Sequence, residues 1–123
     1  ESIGNLSSLN RLYLDHNQLT TLPESIGNLS ELNYLYLDNN ELTTLPESID
    51  DLSNLSRLYL NDNQLTTLPD SLCNTGASII KIDNNFLCNQ YFYDCIEEQY
   101  WEPQDQSECC PGINGYPDWQ QCD

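Results

Sequence analysis

Aromatic, basic and acidic side chains recur at fixed positions in three similar stretches of the chain. The stretches read R-L-Y-L-D-H, Y-L-Y-L-D-N and R-L-Y-L-N-D, and a weaker version, I-I-K-I-D-N, follows them. Apolar residues alternate with the others, which is the pattern of a short strand with one buried and one exposed face. Tyrosine and arginine are favoured at binding surfaces because they offer large contact areas with directional hydrogen bonds. The predicted binding residues are Arg11, Tyr13, Asp15, His16, Tyr34, Tyr36, Asp38, Arg57, Tyr59, Asn61, Lys81 and Asp83.

Catalytic motifs are missing from the sequence. His16 is the only histidine, and there is no serine-nucleophile elbow, zinc-protease motif or phosphate loop. On an open face that does not exclude water, His16 beside Asp15 or Asp38 would be a poor general base. We interpret His16 as an exposed polar residue at the position that Asn39 and Asp62 occupy in later copies. The sequence therefore predicts no enzyme activity, no cofactor and no metal on this face.

A 23-residue repeat positions the candidate residues. Residues 1–23, 24–46 and 47–69 are three copies, and a degenerate fourth copy covers 70–87. Their shared pattern, L-x-x-L-x-L-x-x-N-x-L, is the signature of a leucine-rich repeat, in which L-x-L segments stack as parallel strands. Equivalent residues then form ladders about 4.8 Å apart, including one of tyrosines. A second ladder, whose amides are predicted to satisfy buried backbone groups, contains Asn17, Asn40, Asn63 and Asn85.

The segment L-P-E-S-I-G-N-L in these copies resembles the repeats of plant-type and Ras-associated leucine-rich-repeat proteins, and of many secreted bacterial ones. The resemblance implies an α/β solenoid, a leucine-rich-repeat horseshoe with short parallel strands on its concave side. The convex side is expected to be irregular or 3₁₀, and a disulfide-stapled cap is expected at the C-terminal end. The same family mostly supplies binding surfaces, so the concave face is the expected binding site.

The remaining residues, 88–123, are predicted to form a cysteine-rich capping segment. Its run N-N-F-L-C-N-Q-Y-F-Y-D-C resembles caps of plant-type extracellular repeat domains, which implies the pair Cys88–Cys95. The other pairs are then guessed as Cys73–Cys109 and Cys110–Cys122. The spacing lacks the paired C-x₂₋₄-C knuckles of zinc sites, so disulfides are favoured. Calcium is kept as a minor alternative, bound in the tail by Asp105, Glu108, Asn114 and Asp118.

Charge and cysteine content limit the partners and the location. Three basic against 20 acidic residues give a formal net charge of −17, which disfavours contacts with the phosphates of nucleic acids. No apolar run approaches the roughly 20 residues of a bilayer span, so membrane insertion is not expected. Six cysteines indicate an oxidising environment. The sequence thus predicts a protein that is secreted or attached to the cell surface.

Two functions remain open at the level of sequence. The first is an extracellular binding module that holds a protein or glycan on the concave face. The alternative is a structural subunit of an extracellular fibre or surface assembly, because Glu1 falls inside a repeat and its uncapped edge could mediate self-assembly. Tyrosine is also simply a good strand residue, and duplication produces ladders automatically. The tyrosine ladder alone therefore does not decide whether this face is used.

Overall fold

Short parallel strands form one side of the molecule. The computed structural model describes residues 5–70, 72–88, 93, 95–96 and 98–105. These residues include β1 (Arg11–Tyr13), β2 (Tyr34–Tyr36), β3 (Arg57–Tyr59) and β4 (Ile79–Lys81). The strands pair in parallel in chain order, each one repeat after the last. This arrangement confirms the predicted solenoid of leucine-rich repeats.

The return side of each repeat contains a 3₁₀ helix. These helices span Glu24–Asn28, Glu47–Asp51 and Leu72–Thr75. Pro23 and Pro46 stand just before the first two, with φ of −72° and −68°, values close to the one that the proline ring imposes. Their carbonyl groups accept the first 3₁₀ hydrogen bonds. The predicted 3₁₀ character of this side is therefore confirmed.

The core is a stack of leucine and isoleucine side chains between the strands and the 3₁₀ helices. Leu35, Leu58 and Ile80, the central residues of their strands, are each at most 1% exposed. The equivalent Leu12 is only partly buried, and Leu6 is 49% exposed. In the described part of the chain the first repeat has a neighbour on one side only, so its leucines are less covered. Self-assembly through this edge stays a prediction.

The asparagine ladder forms as predicted at Asn40, Asn63 and Asn85, whereas Asn17 is exposed and donates to the carbonyl groups of Leu14 and Asp15 in its own turn. Asn63 accepts a hydrogen bond from the Leu42 N–H and donates to the carbonyl groups of Leu37 and Leu60. Asn40 and Asn85 make the equivalent bonds one repeat before and after. Each amide thus joins two neighbouring repeats and satisfies backbone groups that are buried away from water.

Gln104 extends this ladder beyond the last repeat. Its Oε1 accepts from the Leu87 N–H at 3.1 Å, and its Nε2 donates to the Ile82 carbonyl at 2.6 Å. These two bonds repeat those that each ladder asparagine makes with the preceding repeat. The residue is supplied by the segment after the short helix α1 (Glu98–Trp101), and Trp101 is itself buried against the core. Residues 98–105 therefore cover the end of the stack.

The predicted disulfide pairing is wrong. Cys95 is bonded to Cys73, with their Cα atoms 5.6 Å apart, and not to Cys88. Cys88 is disulfide-bonded as well, so neither Cys88–Cys95 nor Cys73–Cys109 forms. Cys95 packs against the core and meets Cys73, which lies in the 3₁₀ helix Leu72–Thr75. A disulfide joins cysteines that are close in space, and the pairing implied by the resemblance to plant-type caps does not hold in this chain.

Several predictions concern residues outside the described ones. The pair Cys110–Cys122 and the calcium ligands Glu108, Asn114 and Asp118 lie there, as does Cys109. Asp105, the fourth residue of that calcium set, is described, and its N–H donates to the Asn85 carbonyl. Among the described residues, no helix is long and apolar enough to cross a bilayer.

Candidate functional site

Three tyrosine side chains form a continuous row across the open face of the sheet. The strand register aligns Tyr13, Tyr36 and Tyr59 as neighbours. The rings of Tyr13 and Tyr36 lie 4.7 Å apart between centroids, and those of Tyr36 and Tyr59 lie 4.6 Å apart in a stacked arrangement. Tyr13 is 57% exposed, and the other two are half-buried. This tyrosine row is an aromatic surface whose rings hold one another in place.

Two arginines bracket a fourth tyrosine beside the row. Tyr34 lies on β2, and its neighbours in register are Arg11 on β1 and Arg57 on β3. The guanidinium carbons of these arginines lie 4.7 and 5.1 Å from the centroid of the Tyr34 ring, within the range of cation–π attraction. A hydrogen bond with Tyr36, followed by the electrostatic effect of Tyr34, raises the pKa of Arg57 above its ordinary value. Both arginines are fixed against the aromatic surface.

The surface changes character at β4. Lys81 aligns with Tyr59, and Ile79 aligns with Arg57. The ammonium group of Lys81 lies 2.7 Å from a carboxylate oxygen of Asp83, and the Lys81 and Asp83 side chains are 33% and 11% exposed. The tyrosine row therefore ends at an ion pair. Together, Arg11, Arg57 and Lys81 account for every basic residue of the chain, and all three lie on this one face.

A polar row runs beside the tyrosine row, and each of its residues stands two positions after the end of a strand. It consists of Asp15, Asp38, Asn61 and Asp83. Asp38 accepts a hydrogen bond from Asn39 through Oδ2, whereas its Oδ1 is buried and has no hydrogen-bond partner. The Oδ1 of Asn61 is likewise buried and has no hydrogen-bond partner. Two buried acceptors on neighbouring positions thus lack donors, which is uncommon in folded proteins.

His16 follows Asp15 and turns the chain in the left-handed region, with φ of 59°. Histidine, asparagine and aspartate are the non-glycine residues most often found there, and Asn39 and Asp62 hold the same conformation in later repeats. The Nε2 atom of His16 lies 3.7 Å from an oxygen of Asp15. His16, Asp15 and Asp38 each offer one ligand atom, and these atoms all lie within 4.8 Å of one another.

The structure brings the predicted residues together in three adjoining rows. Arginines and Tyr34 form one row, the other tyrosines with Lys81 form the second, and the carboxylates with Asn61 form the third. The alignment of these residues was predictable from the repeat. The proximity of His16 to Asp15 and Asp38 was also anticipated from the sequence, where these residues were considered as a general base and not as metal ligands. That these residues bind a ligand stays a prediction.

Comparisons with known proteins identify the repeat. Residues 7–65 match the family model described as leucine rich repeat. Among solved structures, the ectodomain of BIR2 from Arabidopsis thaliana aligns with a TM-score of 0.71 and 26% sequence identity. The alignment covers 85% of this chain and 59% of the BIR2 chain. InlP from Listeria monocytogenes is 36% identical, with a TM-score of 0.60 over 68% of this chain and 23% of its own.

A third similar structure contains a bound peptide. It is that of the Arabidopsis receptor kinase HAESA in complex with the peptide hormone IDA and the co-receptor SERK1. The matched chain is 34% identical with a TM-score of 0.62, over 70% of this chain and 15% of that one. A search of curated protein sequences gave no significant match. This chain spans less than two thirds of the length of each of the three structural relatives described here.

Proposed function

The chain is a leucine-rich-repeat protein, and from that premise we propose that its open sheet face binds a protein partner through an extended peptide segment. The binding residues are those of the tyrosine row together with Arg11, Tyr34 and Arg57. The observation that supports this most directly is the continuous row of partly exposed tyrosines beside two guanidinium groups that contact the Tyr34 ring. The proposed location is the cell surface or the extracellular space, as in the ectodomain that aligns best among the relatives described above.

Preorganisation favours binding by this surface. A side chain that becomes ordered only on binding costs about 0.5–1.5 kcal/mol of affinity. Tyr36 is already held between Tyr13 and Tyr59, and Arg57 is already held by Tyr34 and Tyr36. Much of that cost is therefore met when the protein folds. Tyrosine and arginine are also the residues at which binding energy most often concentrates.

The distribution of charge indicates what kind of segment would fit. The chain carries a net charge of −17, yet its three cations all lie on the sheet face. An acidic ligand would be repelled by most of the surface and attracted only at this face. A peptide that places a carboxylate near Arg11 and Arg57, and an apolar side chain on the tyrosine row, would satisfy both features.

The size of the surface sets the length of the segment. Four strands about 4.8 Å apart span about 14 Å between the first and the last. An extended chain advances about 3.3 Å per residue. A segment that crosses the strands would thus contact the face over about four to five residues. This matches a short linear peptide or an exposed loop, and a stack of further repeats would lengthen it.

A selection experiment tests the proposal without a known ligand. A displayed library of random linear peptides is selected on the oxidised chain, and binding of the enriched peptides is measured by fluorescence anisotropy. We expect the enriched peptides to carry an acidic residue and an aromatic or aliphatic one. Tyr36→Ala should weaken them by about 30-fold, the loss typical of a residue that contributes 2 kcal/mol.

Control variants separate the sheet face from the rest of the molecule. Glu47→Ala changes an exposed residue at the start of a 3₁₀ helix and should leave binding unchanged. The proposal is overturned if the enriched peptides bind Tyr36→Ala and Arg57→Ala as tightly as the original chain. It is also overturned if no peptide is enriched and a glycan array gives ligands that depend on the tyrosine row. In that outcome the face binds sugars instead.

A further inference from the structure

We propose that Asp15, His16 and Asp38 form a binding site for one divalent transition-metal ion, of which Zn²⁺ is the probe. One ligand atom from each residue lies within 4.8 Å of the other two. A tetrahedral metal with ligand bonds of about 2.0–2.2 Å holds its donors roughly 3.3–3.6 Å apart, so the side chains must approach one another by up to about 1.5 Å to bind it. This inference departs from the expectation, drawn from the sequence, that the face holds no metal, and it does not depend on the proposed peptide binding.

The backbone holds the three residues in place. Asp15 and His16 follow β1, and Asp38 follows β2 at the position equivalent to Asp15. The His16 N–H donates to the Asp38 carbonyl at 3.0 Å, which ties the two turns together. The left-handed conformation of His16 is shared by the same position in every described repeat. The ligands thus stand on a rigid, repeated scaffold, which favours metal binding over transient clustering.

An independent observation indicates a cation here. The Oδ1 atom of Asp38 is buried and receives no hydrogen bond. Asn61, the next residue in the polar row, is 8% exposed, and its Oδ1 also receives none. Burying a carboxylate oxygen without a donor is costly. A metal ion beside Asp38 would remove this cost, because it supplies positive charge where no N–H or O–H does.

The carboxylates on or next to the polar row in the third and fourth repeats are already neutralised or hydrogen-bonded. Asp83 holds the ammonium group of Lys81 at 2.7 Å, and it also accepts from Asn84. Asp62, which follows Asn61, accepts from the Asn61 amide at 2.8 Å. Asp38, whose Oδ1 is unsatisfied, also offers one of its carboxylate oxygens within 4.8 Å of a nitrogen of the chain's only histidine. The site is therefore confined to the first two repeats.

The ligand set selects the kind of metal. One imidazole nitrogen with two carboxylates suits Zn²⁺, Co²⁺ or Ni²⁺, whereas Mg²⁺ and Ca²⁺ prefer oxygen ligands throughout. The His16 side chain is 69% exposed, so the fourth position of a tetrahedral ion would face solvent. That position would take water or a donor from a partner. The net charge of −17 also raises the local concentration of cations.

Titration calorimetry with Zn²⁺ tests the site. The chain is used oxidised and without a histidine tag, so that neither thiolates nor a tag compete for the metal. We expect one Zn²⁺ per chain, and binding weaker by at least about tenfold in His16→Asn, since even the loss of an outer-shell partner costs 10- to 100-fold. Asparagine occupies this position in the second repeat with the same φ, so the variant should fold normally. Asp38→Asn should weaken Zn²⁺ binding similarly.

Two further measurements make the result decisive. Asp62→Asn removes a carboxylate at the position of His16 two repeats later and should leave Zn²⁺ affinity unchanged. Co²⁺ should give an absorption spectrum that is lost in His16→Asn. The proposal is overturned if the intact chain does not bind Zn²⁺, if His16→Asn binds it equally well, or if Asp62→Asn weakens binding as much as His16→Asn does. Calcium binding of equal strength that ignores His16 would also overturn it.

Discussion

Replacing Asn63 by alanine tests the inferred role of the asparagine ladder. The Asn63 side chain is 6% exposed and links the second repeat to the third. Its loss leaves the Leu42 N–H without an acceptor. The Leu37 and Leu60 carbonyl groups each lose one donor, but each keeps another, from Asn40 and Asn85 respectively. The damage is therefore one orphaned N–H and two weakened carbonyl groups.

The magnitude follows from this count. A buried backbone donor without a partner costs about 1–3 kcal/mol, and an ordinary hydrogen bond contributes about 0.5–1.5 kcal/mol. Since both carbonyl groups keep a donor, their share lies near the lower value. We expect Asn63→Ala to lower the free energy of unfolding by about 3 kcal/mol. A domain of this size is stabilised by only about 5–15 kcal/mol in total, so the effect should be easy to measure.

Asn17→Ala is the matched control. Asn17 stands at the same position of the first repeat, but it is exposed and bonds only to the carbonyl groups of Leu14 and Asp15 in its own turn. Water can replace those bonds, so the expected cost is below about 1 kcal/mol. Urea denaturation followed by circular dichroism compares the two variants, and equal m-values show that the same transition is measured. Equal losses in Asn17→Ala and Asn63→Ala would refute the ladder as the source of stability.

Two further predictions concern the packing between repeats and the cap. Replacing Cys73 and Cys95 together by serine opens a loop with a sequence separation of 22, and the lost constraint should lower stability by about 3 kcal/mol. Peptide mapping of the oxidised chain should also recover the Cys73–Cys95 cross-link, and recovery of a different pair refutes the assignment. Gly27→Ala would place a Cβ 2.7 Å from the Ser48 carbonyl oxygen of the next repeat, so thermal denaturation should show a loss of about 1–3 kcal/mol. Gly76→Ala meets nothing closer than 3.9 Å and has only its φ of +75° to overcome, so its smaller cost, about 1 kcal/mol, is the comparison.

Much of the fold was predictable because the residue pattern within one repeat, together with the constant spacing between repeats, is enough to determine how the repeats stack. The alternation in R-L-Y-L fixes which strand face is buried, and a constant period fixes which residues become neighbours. The strand register then follows without further information, and it aligns Tyr13, Tyr36 and Tyr59 as predicted. The same reasoning predicted the asparagine ladder. Each of these features needs only the residue types within one repeat and the fact of stacking.

The cap was less predictable because it belongs to no repeat. Nothing in the spacing of Cys73 and Cys95 indicates that they meet, since their contact depends on tertiary packing outside the repeats. Gln104 likewise closes the asparagine ladder from a segment with no repeat pattern. A glutamine in an irregular stretch carries no signal of this role. The resemblance to plant-type caps gave the right kind of element and the wrong cysteine pair.

The sequence by itself determined the repeat, the buried face of each strand and the residues that line the open face, because these follow from periods of two and of 23 residues. Only the tertiary structure decided the contacts made by side chains after they leave the backbone. It set both guanidinium groups against one ring, at Tyr34, and left the Asp38 Oδ1 buried without a donor. Periodicity places Cα atoms, whereas rotamers, burial and chain reversal at the cap arise from packing among residues distant in sequence.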